Sequence, residues 1–324
     1  MPPKYYYSHE LGEIENATAL INPISTNNSR GLKRLERLEA VAPFKIRTIN
    51  TSIEPEINKL LIRAALESSD LLLVVAGDGT FNAVVRTIIS NNLSAQAKQT
   101  PVWSLGGGNA EDGTRESHTR FARSHPGKAL PYTRSVSAYP ICFEVKPPFK
   151  KPELYPAAFY ATLGTSALIA SEQYLNKPSH RSSRLGKLSL TRPLSEISVG
   201  LKGLSQAGLN RVESESGVKE FYDEGFINSH LMAKYFRFPT RLTRPEAFHY
   251  VAPNIYSFLG NVSMSLAGLT KGDYFGPDDS FNFKTTHDLY AQFDGESEKI
   301  LAGSSVDVYL HDQPLNLIVT NPRL

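Results

Sequence analysis

The sequence predicts an α/β N-terminal domain built on a parallel sheet, followed by an all-β C-terminal sandwich. The first half alternates short apolar runs with segments of helical spacing, the pattern of strand, crossover helix and strand. Runs at 17–21, 44–49, 71–75 and 102–105 read as its strands. From about residue 134 the texture changes to short alternating runs with prolines between them (135–139, 141–145, 159–163), which indicates antiparallel structure. A chain of 324 residues also exceeds what one core usually serves, so the expected division is 1–134 and 135–324. Within the first part, Leu32, Leu35 and Leu38 define the apolar face of a helix, with Lys33, Arg34, Glu36, Arg37 and Glu39 expected on a solvated face. Residues 56–66 read as the second helix and 83–89 as the third, directly after the buried run Leu71–Val75. The closing strands are expected at 287–293, 305–310 and 315–320, and 185–209 as a helical insert with a basic flank.

Composition narrows the function classes. An apolar content of 40% supports packed cores, and a formal charge of +3 is too small to argue for nucleic-acid binding. The single cysteine, Cys142, leaves no intramolecular disulfide and fits a reducing compartment. No apolar stretch approaches the roughly 18 residues needed to span a bilayer, and Met1–Glu10 lacks the form of a secretory signal. The expected location is the cytoplasm.

Two glycine-rich turns carry the chemistry. The buried run at 71–75 empties into Gly77-Asp78-Gly79-Thr80, and the short run at 102–105 into Gly106-Gly107-Gly108-Asn109. Glycines let backbone approach a ligand closely, and free N–H groups at a helix start attract anions. An acid held there faces phosphates, through Mg²⁺ or as acceptor of a substrate proton. Gly-Asp-Gly alone also reads as an ordinary surface turn. In open α/β sheets, loops at the carboxyl ends of neighbouring strands share a crevice. The turns after Ile21, Ala76 and Leu105 are therefore expected to converge.

Four separated segments, in order, resemble the diacylglycerol kinase catalytic domain family, which includes bacterial lipid kinases and sphingosine kinases. They are Asn22-Pro23 with Ser25, Gly77-Asp-Gly-Thr-Phe-Asn82, Gly106-Gly-Gly-Asn109 and Asp294-Gly-Glu296. The resemblance implies ATP on the first domain, a lipid entering between the domains, and phosphoryl transfer to a lipid hydroxyl. It implies that Asn22, Ser25, Gly77, Gly79, Thr80, Gly106, Gly108 and Asn109 line the nucleotide, and that Asp78, Asp294 and Glu296 are catalytic. Asp294 matches the base of bacterial relatives and Asp78 the metal or phosphate organiser, a role that sphingosine kinases exchange for base. A structural Mg²⁺ site is implied at Asp279 and Phe281. The implied partners are a lipid substrate and the membrane surface, at the segments 181–192 or 234–239, with no nucleic acid; a homodimer is compatible with the family.

The chain departs from the family at Ile24, where a phosphate-facing cation is usual and Arg30 or Lys33 would substitute, and at Ala83, Ala110 and Ser280. Two alternatives stay open. NAD kinases also use Gly-Asp-Gly-Thr, and the substitutions leave room for a member that binds nucleotide or lipid without turnover. Asp294-Gly295 is, besides, a strong hairpin signal.

Overall fold

Two alternating patterns on one strand set the first domain. The structure, a computed structural model, describes residues 13–25, 27–89, 93–108, 112–175, 205–232, 236–240 and 244–320. In β3 (Leu71–Val75) every residue is buried, and successive side chains face opposite sides of the sheet. Leu71, Leu73 and Val75 pack with Leu35 and Leu38 of α1 (Asn28–Glu39), whereas Leu72 and Val74 pack with Ile62 and Leu66 of α2 (Pro55–Glu67) and with Val84, Val85 and Ile88 of α3 (Asp78–Ile89). The helices α1 and α3 therefore cover opposite faces. Each such fully buried aliphatic side chain contributes roughly 1.5–3 kcal/mol.

Around β3 the chain builds β1 (Asn16–Ile21), β2 (Lys45–Asn50) and β4 (Val102–Ser104), all parallel, in the order β2-β1-β3-β4. Short helices α4 (Ala95–Gln99), α5 (Asp112–Ser117), α6 (Arg120–Ser124) and α7 (Pro126–Ala129) flank it. Two more strands complete this sheet: β5 (Arg134–Ala138), and a final strand at Leu315–Val319, which runs parallel to β4 and antiparallel to β5. A division at residue 134 therefore does not coincide with the sheets, because the end of the chain returns to the first one.

Between these strands lies the second domain, mostly antiparallel. Its outer sheet contains β6 (Ile141–Lys146), β7 (Glu153–Ala157), β9 (Asn210–Ser214), β10 (Gly217–Phe221), β16 (Ser280–Thr285) and β19 (Ser305–Leu310). The inner sheet contains β8 (Tyr160–Gly164), β11 (Asp223–Ile227), β14 (Ala247–Ala252), β15 (Asp273–Phe275), β17 (Leu289–Phe293) and β18 (Glu296–Ile300). The remaining pair is β12 (Leu231–Met232) with β13 (Phe236–Arg237), and the last strand of the chain is β20. Phe143, Phe226 and Phe293 meet edge to face between the sheets. Cys142, next to Phe143 on β6, is buried instead in the cluster that includes Leu315 and Leu317 of the final strand, and burial pushes its thiol well up.

Two helices accompany the strands of the sandwich. They are α8 (Thr165–Leu175) and α9 (Ile255–Ala267). The alternation of the strands dominates the sequence pattern, which hides two helices of this length. The insert at 185–209 lies largely outside the described residues, as does the segment 181–192. Of 234–239, only Phe236 to Pro239 is described.

Candidate functional site

Three turns meet at the carboxyl end of the parallel sheet. After β1, the Asn22 side chain accepts from Ile24 N–H (3.1 Å), closing its own turn, and donates to Thr80 Oγ1 in the first turn of α3 (3.0 Å). Ser25 Oγ donates to Gly107 O (2.8 Å), and Asn27 donates to Gly108 O from its side chain (2.7 Å) and to Gly107 O from its backbone (2.8 Å). The glycines are needed where two of these turns touch: a Cβ on Gly77 would lie 2.9 Å from Gly108 Cα, and one on Gly108 would collide with Gly77. Gly106, with φ 75°, turns the chain away from β4. Asn109 lies outside the described residues.

The start of α3 brings the acids together. Its first N–H groups have no partner within the helix, and negative groups are favoured beside them. A Cβ on Gly79 would strike the Glu296 carboxyl, and the Asp78 Cβ lies 3.9 Å from the position a Gly295 Cβ would take. Asp78 and the turn at Asp294-Gly295-Glu296 therefore share one spot, although more than two hundred residues separate them in the chain. That turn is also a hairpin: it joins β17 to β18 with positive φ at Asp294 (48°) and Gly295 (92°), the I′ arrangement that Asp-Gly favours. The hairpin reading and the functional one describe the same loop.

Asp294 occupies a different position from its neighbours. It is 1% exposed, and its carboxylate accepts from the N–H groups of Ala158 (2.6 Å), Phe159 (2.9 Å) and Tyr160 (2.9 Å), with the Asn82 side chain at 3.4 Å. Burial outweighs these bonds, which favour the ionised form, and pushes its pKa up to about 6. Asn82 also donates to Pro156 O (2.9 Å), and Phe81 packs on Phe159 with ring centroids 5.2 Å apart. Asp294 thus sits in the junction where α3 meets the loop between β7 and β8. Asp78 is partly exposed and Glu296 exposed, on the open side of that junction.

Among the described residues no three His, Cys, Asp or Glu side chains converge to hold a metal. Asp78 and Glu296 nevertheless suit Mg²⁺, which takes one or two carboxylates and completes its shell with phosphate oxygens and water. Asp279 lies in the turn before β16, where its carboxylate accepts from Gly276 N–H (2.7 Å), and the Phe281 ring lies under Lys219 (4.2 Å).

Asn27 is a structural member of this region that the sequence pattern did not single out, and Asn82 and Arg34 hold structural roles there that the pattern did not assign. Arg34, expected on a solvated face, is buried and donates to Leu105 O (2.7 Å), bracing the second glycine turn from below. Ile24 is 61% exposed. A further buried polar group lies in the second domain, where Asp223 accepts from Ser166 N–H (2.7 Å), Ser166 Oγ (3.0 Å) and Tyr250 OH (2.8 Å); burial pushes its pKa up to about 7.

Residues 16–129 match the model of the diacylglycerol kinase catalytic domain. A solved structure described as a diacylglycerol kinase from Bacillus anthracis str. Sterne aligns with a TM-score of 0.64 at 13% identity, covering 96% of this chain and 98% of that one. Yeast NADH kinase complexed with NADH aligns at 0.56 and 9% identity, covering 95% and 84%. No curated protein sequence matches the chain. Identities this low establish fold, not substrate. Residues 16–129 thus carry the signature of the diacylglycerol kinase catalytic domain, in a chain whose whole fold is shared with the Bacillus anthracis kinase and with yeast NADH kinase.

Proposed function

We propose that the chain is an ATP-dependent lipid kinase, transferring the γ-phosphoryl group to a hydroxyl of a diacylglycerol-like or sphingoid lipid. The observation that carries this reading is the meeting of Asp78, Asp294 and Glu296 at the start of α3, beside two glycine turns packed backbone to backbone. In this reading Asn22, Ser25, Gly77, Gly79, Thr80, Gly106, Gly108 and Asn109 line the nucleotide. Asp78 and Glu296 would hold Mg²⁺, which supplies neutralisation of the phosphate charge.

The lipid oxygen forms its bond to the γ-phosphorus as the bond to the β–γ bridging oxygen breaks, and the hydroxyl proton passes to a carboxylate. A hydroxyl is too weak an acid to lose that proton first, so positioning and charge neutralisation carry most of the rate. We assign the proton to Asp78 or Glu296, on the open side. Asp294, with both oxygens taken up by backbone, holds the hairpin that places Glu296.

A lipid acceptor is supported by α9. Its thirteen residues include no charged side chain, and Ile255, Tyr256, Leu259, Met264 and Leu266 are exposed. Such a surface suits contact with a bilayer, and we infer a peripheral enzyme that meets its substrate at the membrane. Among the described residues no helix is long and apolar enough to cross one.

The test is incubation of the pure protein with labelled ATP, Mg²⁺ and mixed micelles of diacylglycerol, monoacylglycerol and sphingoid base. Label in a lipid is expected. The likeness to yeast NADH kinase favours a second reading, phosphorylation of a nicotinamide dinucleotide. Formation of NADP from NAD with no labelled lipid would replace the first reading with that one. Mg-ATP affinity without transfer to any acceptor would identify a binding protein instead.

A further inference from the structure

A cavity of about 670 Å³ lies between α1 and the helices α5 and α6, lined by Arg30, Lys33, Arg34, Arg37, Arg115, Arg120, Arg123 and Ser124. Seven of these eight side chains are cations, and among the described residues no carboxylate lines it. Four of them, at positions 30, 33, 34 and 37, repeat with helical spacing and form one stripe of α1 beside its leucine stripe. The other three come from a separate segment that folds against that stripe, so two independent elements converge with the same sign of charge.

The cavity is separate from the acid cluster. None of Asp78, Asn82, Asp294 and Glu296 lines it, and its α1 residues belong to the helix on the opposite face of the sheet from α3, which carries Asp78 and Asn82. Two of its arginines are fixed from behind: Arg34 donates to Leu105 O (2.7 Å) and Arg37 to Ser124 O. Their charges are felt nearby. Burial first, then Arg123 and Arg34, push the buried His118 down to about 3.

A concave site lined by one sign of charge concentrates ions of the other sign. Guanidinium groups pair with phosphate through two parallel hydrogen bonds, and seven cations around one cavity exceed what a single phosphate can engage. The volume falls within the range of small-ligand sites. We propose that this cavity is a second binding site, for an anion carrying two or more phosphate groups, distinct from the nucleotide site. Its ligand is a soluble polyphosphorylated molecule or the polyphosphorylated headgroup of a lipid.

The experiment is calorimetric titration of the full chain with inorganic tripolyphosphate at fixed ionic strength, together with sedimentation on vesicles that contain or lack phosphatidylinositol bisphosphate. Three proteins are compared: wild type, the Lys33→Glu, Arg120→Glu double variant, and a Lys45→Glu, Lys59→Glu control with the same charge change at exposed sites on β2 and α2. Wild type and control are expected to bind. The cavity variant should bind about a hundredfold more weakly, about tenfold for each cation reversed. The milder Arg120→Gln, with an unchanged melting temperature, should lose about tenfold. Loss confined to tripolyphosphate identifies a soluble ligand, and loss confined to vesicles a lipid headgroup. The proposal is overturned if wild type binds neither probe, if the variant binds like the control, or if saturating Mg-ATP displaces tripolyphosphate, which would make the cavity part of the nucleotide site. Neither result depends on kinase activity, so failure here leaves the lipid-kinase reading intact.

Discussion

Asp294 is held by three amide N–H groups, and this defines what its replacement should do. In Asp294→Asn one oxygen becomes a donor that faces donors. Each amide left without an acceptor costs roughly 1–3 kcal/mol, so the melting temperature should fall by several degrees, measured by thermal scan. Its pH dependence has a definite sign. The folded carboxyl has a pKa near 6, above its ordinary 3.8, so the folded state holds the proton more tightly. The stability this contributes is complete below about 3.8 and is lost as pH rises through about 6. A displacement of about two is worth roughly 3 kcal/mol. The stability gap between wild type and Asp294→Asn should therefore widen as pH is lowered from 7 toward 5; a gap independent of pH would refute the buried, protonatable Asp294. Asp78→Asn and Glu296→Gln, on the open side, should leave the melting temperature nearly unchanged, and the one that removes the proton acceptor should lower kcat roughly 10²–10⁴-fold. Near-normal kcat in both would return that role to Asp294. The acids and glycines of the site are legible in the chain because each motif is local. The reason Asp294 is buried is not, since its three partners come from residues 158–160, far away in sequence.

The elements of the first domain follow closely from periodicity. Buried on both faces, β3 reads as an unbroken apolar run, and α1 shows its leucine stripe. What periodicity does not reveal is the fate of a polar stripe: the basic face of α1 looks solvated, yet residues of α5 and α6 line a cavity with it and Arg34 is buried against Leu105 O. The apolar helix α9 is illegible for the opposite reason. An uncharged segment among strands reads as more core, yet most of α9 is exposed. That exposure makes a prediction at the scale of the helix. Leu259→Glu with Leu266→Glu places two charges on its outer surface, where nothing needs to be repacked. Vesicle binding and phosphorylation of lipid presented in vesicles should both fall, roughly tenfold or more at the 1–3 kcal/mol expected for two exposed leucines transferred to an interface. Activity toward a short-chain, water-soluble diacylglycerol should persist. Equal losses on both substrates would mean that α9 serves the fold or the site rather than the membrane.

At the scale of the whole molecule, described residues join the two domains through a shared strand and through side chains of α3. The final strand, β20, lies in the first sheet, so the chain leaves that sheet after β5 and re-enters it at its end. The Asn82 side chain of α3 donates across the junction to Pro156 O (2.9 Å) with the Asp294 carboxylate at 3.4 Å, and Arg86 of α3 stacks over Tyr155 of β7 at 4.8 Å. A strand added by residues 315–319 to partners at 102 and 134–138 is a long-range pairing that no local pattern announces, which is why the end of the chain reads as part of the sandwich. Its consequence is cooperativity. The chain's single tryptophan, Trp103, is buried in β4, a direct neighbour of β20, and reports on the first domain. Near-ultraviolet circular dichroism of the tyrosines, among them Tyr155, Tyr160, Tyr222, Tyr250, Tyr290 and Tyr309 of the sandwich, reports on the second. If β20 and the junction couple the domains, the two signals should trace one coincident transition in urea, as a two-state unit does. Deleting residues 313–324 removes a central strand between β4 and β5 and exposes Leu317 and its apolar neighbours. The truncated chain should then lose the tryptophan transition while the sandwich, whose two sheets contain none of the deleted residues, keeps its own. Two separate transitions in the full-length protein would show instead that the domains fold independently and that β20 belongs to the first without coupling it to the second.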